Sequence, residues 1–195
     1  MDITSYLLGK KASGGGGNNA VINGSLSGYN QSAGIRCLIT SIDTLDVSNK
    51  TNLNSLFSYC TRLKTIPNLD TSNATNFGGM FANCGELEAI PNLDTSNATS
   101  MSGMFSYCES LTTIPLLNTS KLQNSGLNNI FNGCKKLTDQ CLDIILQMCI
   151  NATNYTTNKK LTHLGINDTS VYPASRIQAL PHYQDFINAG WTIGY

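Results

Sequence analysis

The stretch LDTSNATNFGGMFANCGELEAIPN runs from Leu69 to Asn92, and LDTSNATSMSGMFSYCESLTTIPL follows it from Leu93 to Leu116. The block before them, Leu45 to Asn68, reads LDVSNKTNLNSLFSYCTRLKTIPN, and neighbouring blocks agree at half or more of their 24 positions. A fourth copy, LLNTSKLQNSGLNNIFNGCKKL, carries two extra residues before Phe131 and Cys134 and lacks the Ile-Pro pair. A partial copy, ITSIDTL, lies in front, from Ile39 to Leu45. A fixed period of this size restricts a chain to architectures in which repeats stack, because one repeat cannot bury its apolar edge alone.

The positions that recur are apolar or turn-forming. Leu63, Leu87, Leu111 and Leu137 form one column, Ile66, Ile90 and Ile114 a second, and Phe57, Phe81, Phe105 and Phe131 a third beside Leu56, Met80, Met104 and Ile130. These columns are the expected core. A segment such as LTTIP reads as a short strand with proline at its end, where a lost ladder hydrogen bond matters least. LDTSN supplies turn and capping chemistry. Met101, Met104, Phe105 and Cys108, spaced i, i+3, i+4 and i+7, predict an amphipathic helical face. The expected fold is therefore an α/β solenoid of strand, turn and short-helix rungs.

Around the repeats we expect a flexible leader with a Gly14 to Gly17 joint over residues 1–19, an N-terminal hairpin cap over 20–38, the repeat stack over 39–137 and a C-terminal cap over 138–195. In that last segment LTDQCLDIILQMCINA predicts a helix beginning near Thr138 with Leu142, Ile145 and Cys149 on one face. LTHLGIN and WTIGY read as strands, and SRIQAL and HYQDFINAG as helical turns ending at Gly190.

The pattern LDTSNxTxMxxMFxxCxxLxxIP resembles the BspA-type leucine-rich repeat of bacterial surface proteins and their phages. It covers Ile39 to about Leu137, and the fourth copy departs from it. The start, MDITSYLLGKKASGGGG, resembles leaders of small structural proteins of phages and prophages of Gram-positive bacteria. Together these resemblances imply a leucine-rich-repeat recognition or adhesion module without enzymatic activity. They place it on a virion assembled in a host cytoplasm, or on a bacterial cell surface. They also imply a host surface glycan or protein as partner, with residues 1–13 free to dock on other virion proteins or to support an oligomer. A purely structural or decoration role is the alternative.

Composition narrows the classes further. With 12 basic and 12 acidic residues, and no Lys or Arg cluster, a nucleic-acid partner is not expected. The longest apolar run, near IILQM, is too short to span a bilayer, and the acidic start does not read as a secretory signal. Cys60, Cys84 and Cys108 recur one repeat apart within an odd total of seven, so they read as small buried hydrophobes rather than a disulfide framework. No Cys-x-x-Cys, His-Glu-x-x-His or phosphate-loop motif occurs, and no cofactor or metal is expected. His163 and His182 are the only histidines available to a Cys–His pair, and no catalytic residue is expected. The column Asp46, Asp70, Asp94 and Asn118 reads as backbone capping, with calcium binding as the competing reading. Asn-x-Ser/Thr triplets, as at Asn73 and Asn97, follow from repeat chemistry. The candidate ligand-binding residues are those the core does not dictate: Tyr59, Asn83 and Tyr107 in the column before the cysteines, with Lys64 and Glu88 on the strand side.

Overall fold

The computed structural model describes residues 40–42 and 45–194. The leader, the hairpin cap and Cys37 lie outside the described residues. The repeats do stack, one rung per copy, but the expected α/β solenoid is not what forms. Among the described residues there is no strand and no sheet, only isolated parallel bridges at Ser41–Thr65, Asn52–Asn76, Asn76–Ser100 and Lys160–Thr192. The described helices all follow the repeats: α1 at Asp139–Asn151, a 3-10 helix at Leu161–Leu164, α2 at Ala174–Gln178 and α3 at Tyr183–Asn188. None is long and apolar enough to cross a membrane.

The segment expected to be helical is a run of overlapping four-residue turns. In the third rung the amide of Met104 donates to Met101, that of Ser106 to Gly103, and that of Cys108 to Phe105, at 3.0 Å each. The intervening amides leave the rung. Gly103 donates to Asn128, Phe105 to Ile130 and Tyr107 to Asn132, at 2.6–2.9 Å. Every second N–H thus closes a turn and every other one joins the next rung. A helix cannot propagate because two residues per rung are left-handed: Ser55 and Tyr59, then Gly79 and Asn83, then Gly103 and Tyr107, all at φ between 57° and 65°. The fourth copy fits its two extra residues as one more such turn, Gln123 to Gly126, with Ser125 at φ 77°. An even insertion keeps the alternation of inward and outward residues.

The strands fail for a related reason. In LTTIP the leucine amide is already used in a turn, Leu111 donating to Cys108 at 3.1 Å, and the proline has no N–H. What remains is a ladder about one bond wide, with Lys64 donating to Thr40, Thr112 to Glu88 and Thr138 to Thr112. Threonine and asparagine side chains supply the rest. Thr75 and Thr99 hydroxyls donate to Thr51 and Thr75 carbonyls, the Asn73 and Asn97 amides to Ser48 and Ser72, and the buried Thr71 and Thr95 hydroxyls to Asp94 and Asn118. The Asn-x-Thr triplets are therefore cross-rung hydrogen bonds written into the repeat.

The core is the expected set of columns, except that Ile66 is only partly buried. Phe57, Phe81, Phe105 and Phe131 stack with ring centroids 5.3, 5.7 and 5.7 Å apart, and the leucine column beside them is buried. Cys84, Cys108 and Cys134 are more than fillers. Each thiol donates across a rung, to the carbonyls of Phe57, Phe81 and Phe105 at 3.1–3.2 Å. Six free cysteines are described and all are buried.

After the repeats the chain imitates a rung without repeating the sequence. Thr138 caps α1 as expected, its hydroxyl accepting from Cys141, and Leu142, Ile145 and Cys149 are buried on one face. The carbonyl of Met148 at the end of α1 accepts the Thr119 hydroxyl at 2.6 Å, and the Asn154 amide donates to Ser120 at 2.9 Å. LTHL, expected as a strand, is the 3-10 helix. Its His163 and Leu164 carbonyls receive Asn129 and Phe131, as a fifth rung would. WTIGY forms one bridge rather than a strand, and it in turn receives Leu161 at Thr192. Phe186 and Trp191, with Tyr155, close the end, ring centroids 5.2–6.1 Å apart.

Candidate functional site

Tyr59, Asn83, Tyr107 and Gly133 occupy one position in four successive rungs, each two residues after the stacked phenylalanine. All four are left-handed, at φ 65°, 63°, 60° and 74°. Asn and Gly are the residue types this backbone favours, whereas a bulky side chain there costs roughly 1–2 kcal/mol. The amides of the first three donate outward to Ala82, Ser106 and Asn132, fixing the backbone. Tyr59 and Tyr107 are nonetheless 44% and 50% exposed, and with Leu116 they are the exposed large hydrophobic residues among those described. Tyr107 lies across its successor: a Cβ placed on Gly133 would stand 2.7 Å from the Tyr107 Cδ1.

The structure therefore brings Tyr59, Asn83 and Tyr107 together and puts Lys64 and Glu88 in a separate column. Lys64 is exposed and its amine pairs with Glu86 at 3.8 Å, while Glu88 is exposed and its backbone carbonyl receives both the amide and the hydroxyl of Thr112. A second cross-rung pair, Lys135 with Glu109 at 3.3 Å, lies in the neighbouring column.

The aspartate column serves the backbone. Ser48 and Ser72 each give both an N–H and a hydroxyl to the Asp46 or Asp70 Oδ1 at 2.7–3.1 Å, and Asn118 receives the same pair from Ser120. These bonds, hydroxyl first and amide second, hold Asp46, Asp70 and Asp94 below the usual carboxylate range. Asp168 repeats the arrangement with Ser170 outside the repeats. Among the described residues no three His, Cys, Asp or Glu side chains stand together where they could hold a metal ion.

Among the described residues neither histidine meets a thiol partner. His163 lies in the 3-10 helix, with its carbonyl in the rung contact. His182 has an orienting carboxylate that sequence reading missed: Asp143 on α1 accepts from the His182 ring Nδ1 at 2.7 Å and from its backbone amide at 2.9 Å. The two are 39 residues apart, with no local signature. His182 borders a cleft of about 420 Å³ whose other walls include Gln147, Asn151, Asp185 and Asn188, with no hydroxyl or thiol among its described lining residues. A second cleft, of about 630 Å³, lies where exposed Leu116 faces Ile150 and Asn151. Four of the described thiols are poor nucleophiles. Burial pushes Cys108 up to about 12 and Cys141 to about 11, and raises Cys134 and Cys149 as well.

The family model described as a Mycoplasma protein of unknown function, DUF285, matches residues 26–144. The chain belongs to the DUF285 family. No curated protein and no solved structure matches it. The DUF285 match contains the four rungs and the whole tyrosine column, and it ends inside α1. His182 and the α1 end of both clefts lie beyond it.

Proposed function

We propose that this DUF285 protein is a non-enzymatic recognition module that engages a surface component through the Tyr59–Asn83–Tyr107 column. The observation that carries this reading is that two exposed tyrosines occupy left-handed positions where the backbone favours glycine or asparagine. The left-handed backbone does not itself call for tyrosine at either place, and both residues stay exposed at the surface. An aromatic ring with a polar tip gives contact area at low entropic cost, which suits recognition. A backbone outlier held by its surroundings is a reason to look for function at that place.

The resemblance of the repeat to BspA-type surface proteins supports a role in adhesion, and the resemblance of the leader supports a phage or prophage virion as the setting, with a bacterial surface as the other. Lys64 and Glu88 belong to the flank of the site rather than its centre. The non-enzymatic character belongs to what the resemblance implies, and the raised Cys108 and Cys141 thiols are in keeping with it. The test is a binding screen of the full chain against bacterial cell envelopes and glycans. Saturable binding is expected. Its absence in folded protein sinks recognition and leaves particle decoration.

A further inference from the structure

Resting on that recognition reading, the geometry points to an uncharged, extended β-linked glycan as the ligand of the tyrosine column, lying along the stacking axis with one sugar per rung. The first support is that the column is straight. The phenylalanine rings two residues before it are stacked with interplanar angles of 13°, 0° and 11°, so successive rungs rise with little rotation. Residues at a fixed offset from those rings share one face. Tyr59 and Tyr107, two rungs apart, are therefore separated by about 10 Å along the axis.

The second support is the alternation of size, Tyr59, Asn83, Tyr107, Gly133. Rungs are too close for an aromatic ring at every level to stay accessible. With a small residue at alternate levels, each ring has room to lie on its successor. Tyr107 does so over Gly133, where an added Cβ would meet its Cδ1 at 2.7 Å and Cε1 at 3.1 Å, and half of the residue remains exposed. At Tyr107 the result is a ring held from beneath in a half-exposed residue, which suits a stacking platform.

The third support is periodicity and charge. In an extended β-1,4-linked glycan each sugar advances by close to one rung, and alternate sugars present the same face. Sugars one and three then stack on Tyr59 and Tyr107, while the middle sugar meets the Asn83 amide, which both donates and accepts. An extended peptide advances only about 3.3 Å per residue and falls out of step with the rungs. Lys64 is paired with Glu86 and Lys135 with Glu109, so these four charges offset one another, which favours a neutral polymer.

The experiment is isothermal titration of the full chain with β-1,4-linked N-acetylglucosamine dimer, trimer and tetramer, with maltotriose as the α-linked control. Affinity should rise roughly tenfold from dimer to trimer, when the second ring is reached. Tyr59→Asn and Tyr107→Asn should each abolish that step with folding intact, since Asn83 already occupies the column, and Tyr→Phe at either position should retain it. An absent length step, a step that survives both asparagine variants, or equal binding of maltotriose overturns the glycan assignment. If envelopes bind through the tyrosines while the β-linked oligomers do not, the glycan assignment falls and recognition stands. If neither binds, both fall.

Discussion

Replacing Gly103 by alanine separates a rung of overlapping turns from a helical rung by the sign of the stability change. Gly103 has φ +64°, and an added Cβ would meet only the Ser106 Cβ at 4.0 Å, an ordinary contact, so packing does not confuse the outcome. Holding an alanine in the left-handed region costs roughly 1–2 kcal/mol. The smaller entropy of the unfolded alanine chain offsets about 0.4–1 kcal/mol of that. The net expectation is a loss of about 0.5–1 kcal/mol. In a helical rung the same change would add about 0.8–1 kcal/mol. The two architectures therefore differ by about 1.3–2 kcal/mol and in direction. Urea unfolding followed by circular dichroism reads it, as a lower midpoint with an unchanged slope. A higher midpoint for Gly103→Ala would refute the turn-built rung.

The buried thiols predict an alkaline weakness. Cys108 and Cys141 titrate near 9 when unfolded and at about 12 and 11 when folded, so stability is intact below pH 9 and falls as the pH rises through that window. The slope is about 1.4 kcal/mol per pH unit for each thiol still protonated in the fold. Urea midpoints from pH 8 to 10.5 check this, Cys108→Ala should reduce the slope, and a flat profile contradicts the burial. The aspartate column predicts the opposite at low pH. With folded values below 3.8, its contribution is present above that value and lost as the pH falls through the depressed range. Because Asn118 makes the same bonds, Asp46→Asn/Asp70→Asn/Asp94→Asn should keep the neutral-pH midpoint and lose less stability on acidification; a neutral-pH collapse would mean that the carboxylates do something other than cap.

The core was legible in the sequence because stacking forces identical columns, and Phe57 to Phe131 and Leu63 to Leu137 lie where the repeat puts them, while the Thr138 cap was legible from its own helix-start chemistry. The secondary structure of the rungs was not. Met101, Met104, Phe105 and Cys108 are spaced as on a helix, but overlapping four-residue turns bury the same positions. The distinguishing signal was there in Gly79, Gly103 and Asn83, residue types that take left-handed backbone, at four-residue spacing with Tyr107. Strands were misread because LTTIP has β-prone residues while its leucine amide and its proline take no part in a ladder. The cap contacts had no signature. Met148 serves through its carbonyl, which any residue could supply, and Asp143 reaches His182 across 39 positions.

The most direct test of the central claim uses the variant that removes both rings without opposing the backbone, Tyr59→Asn/Tyr107→Asn. Its urea midpoint and its binding to the envelope fraction that the native chain recognises are measured side by side. We predict a midpoint equal to or above that of the native chain, because asparagine suits φ near +60° better than tyrosine, together with loss of binding. Undiminished binding by a folded double variant would contradict recognition through this column.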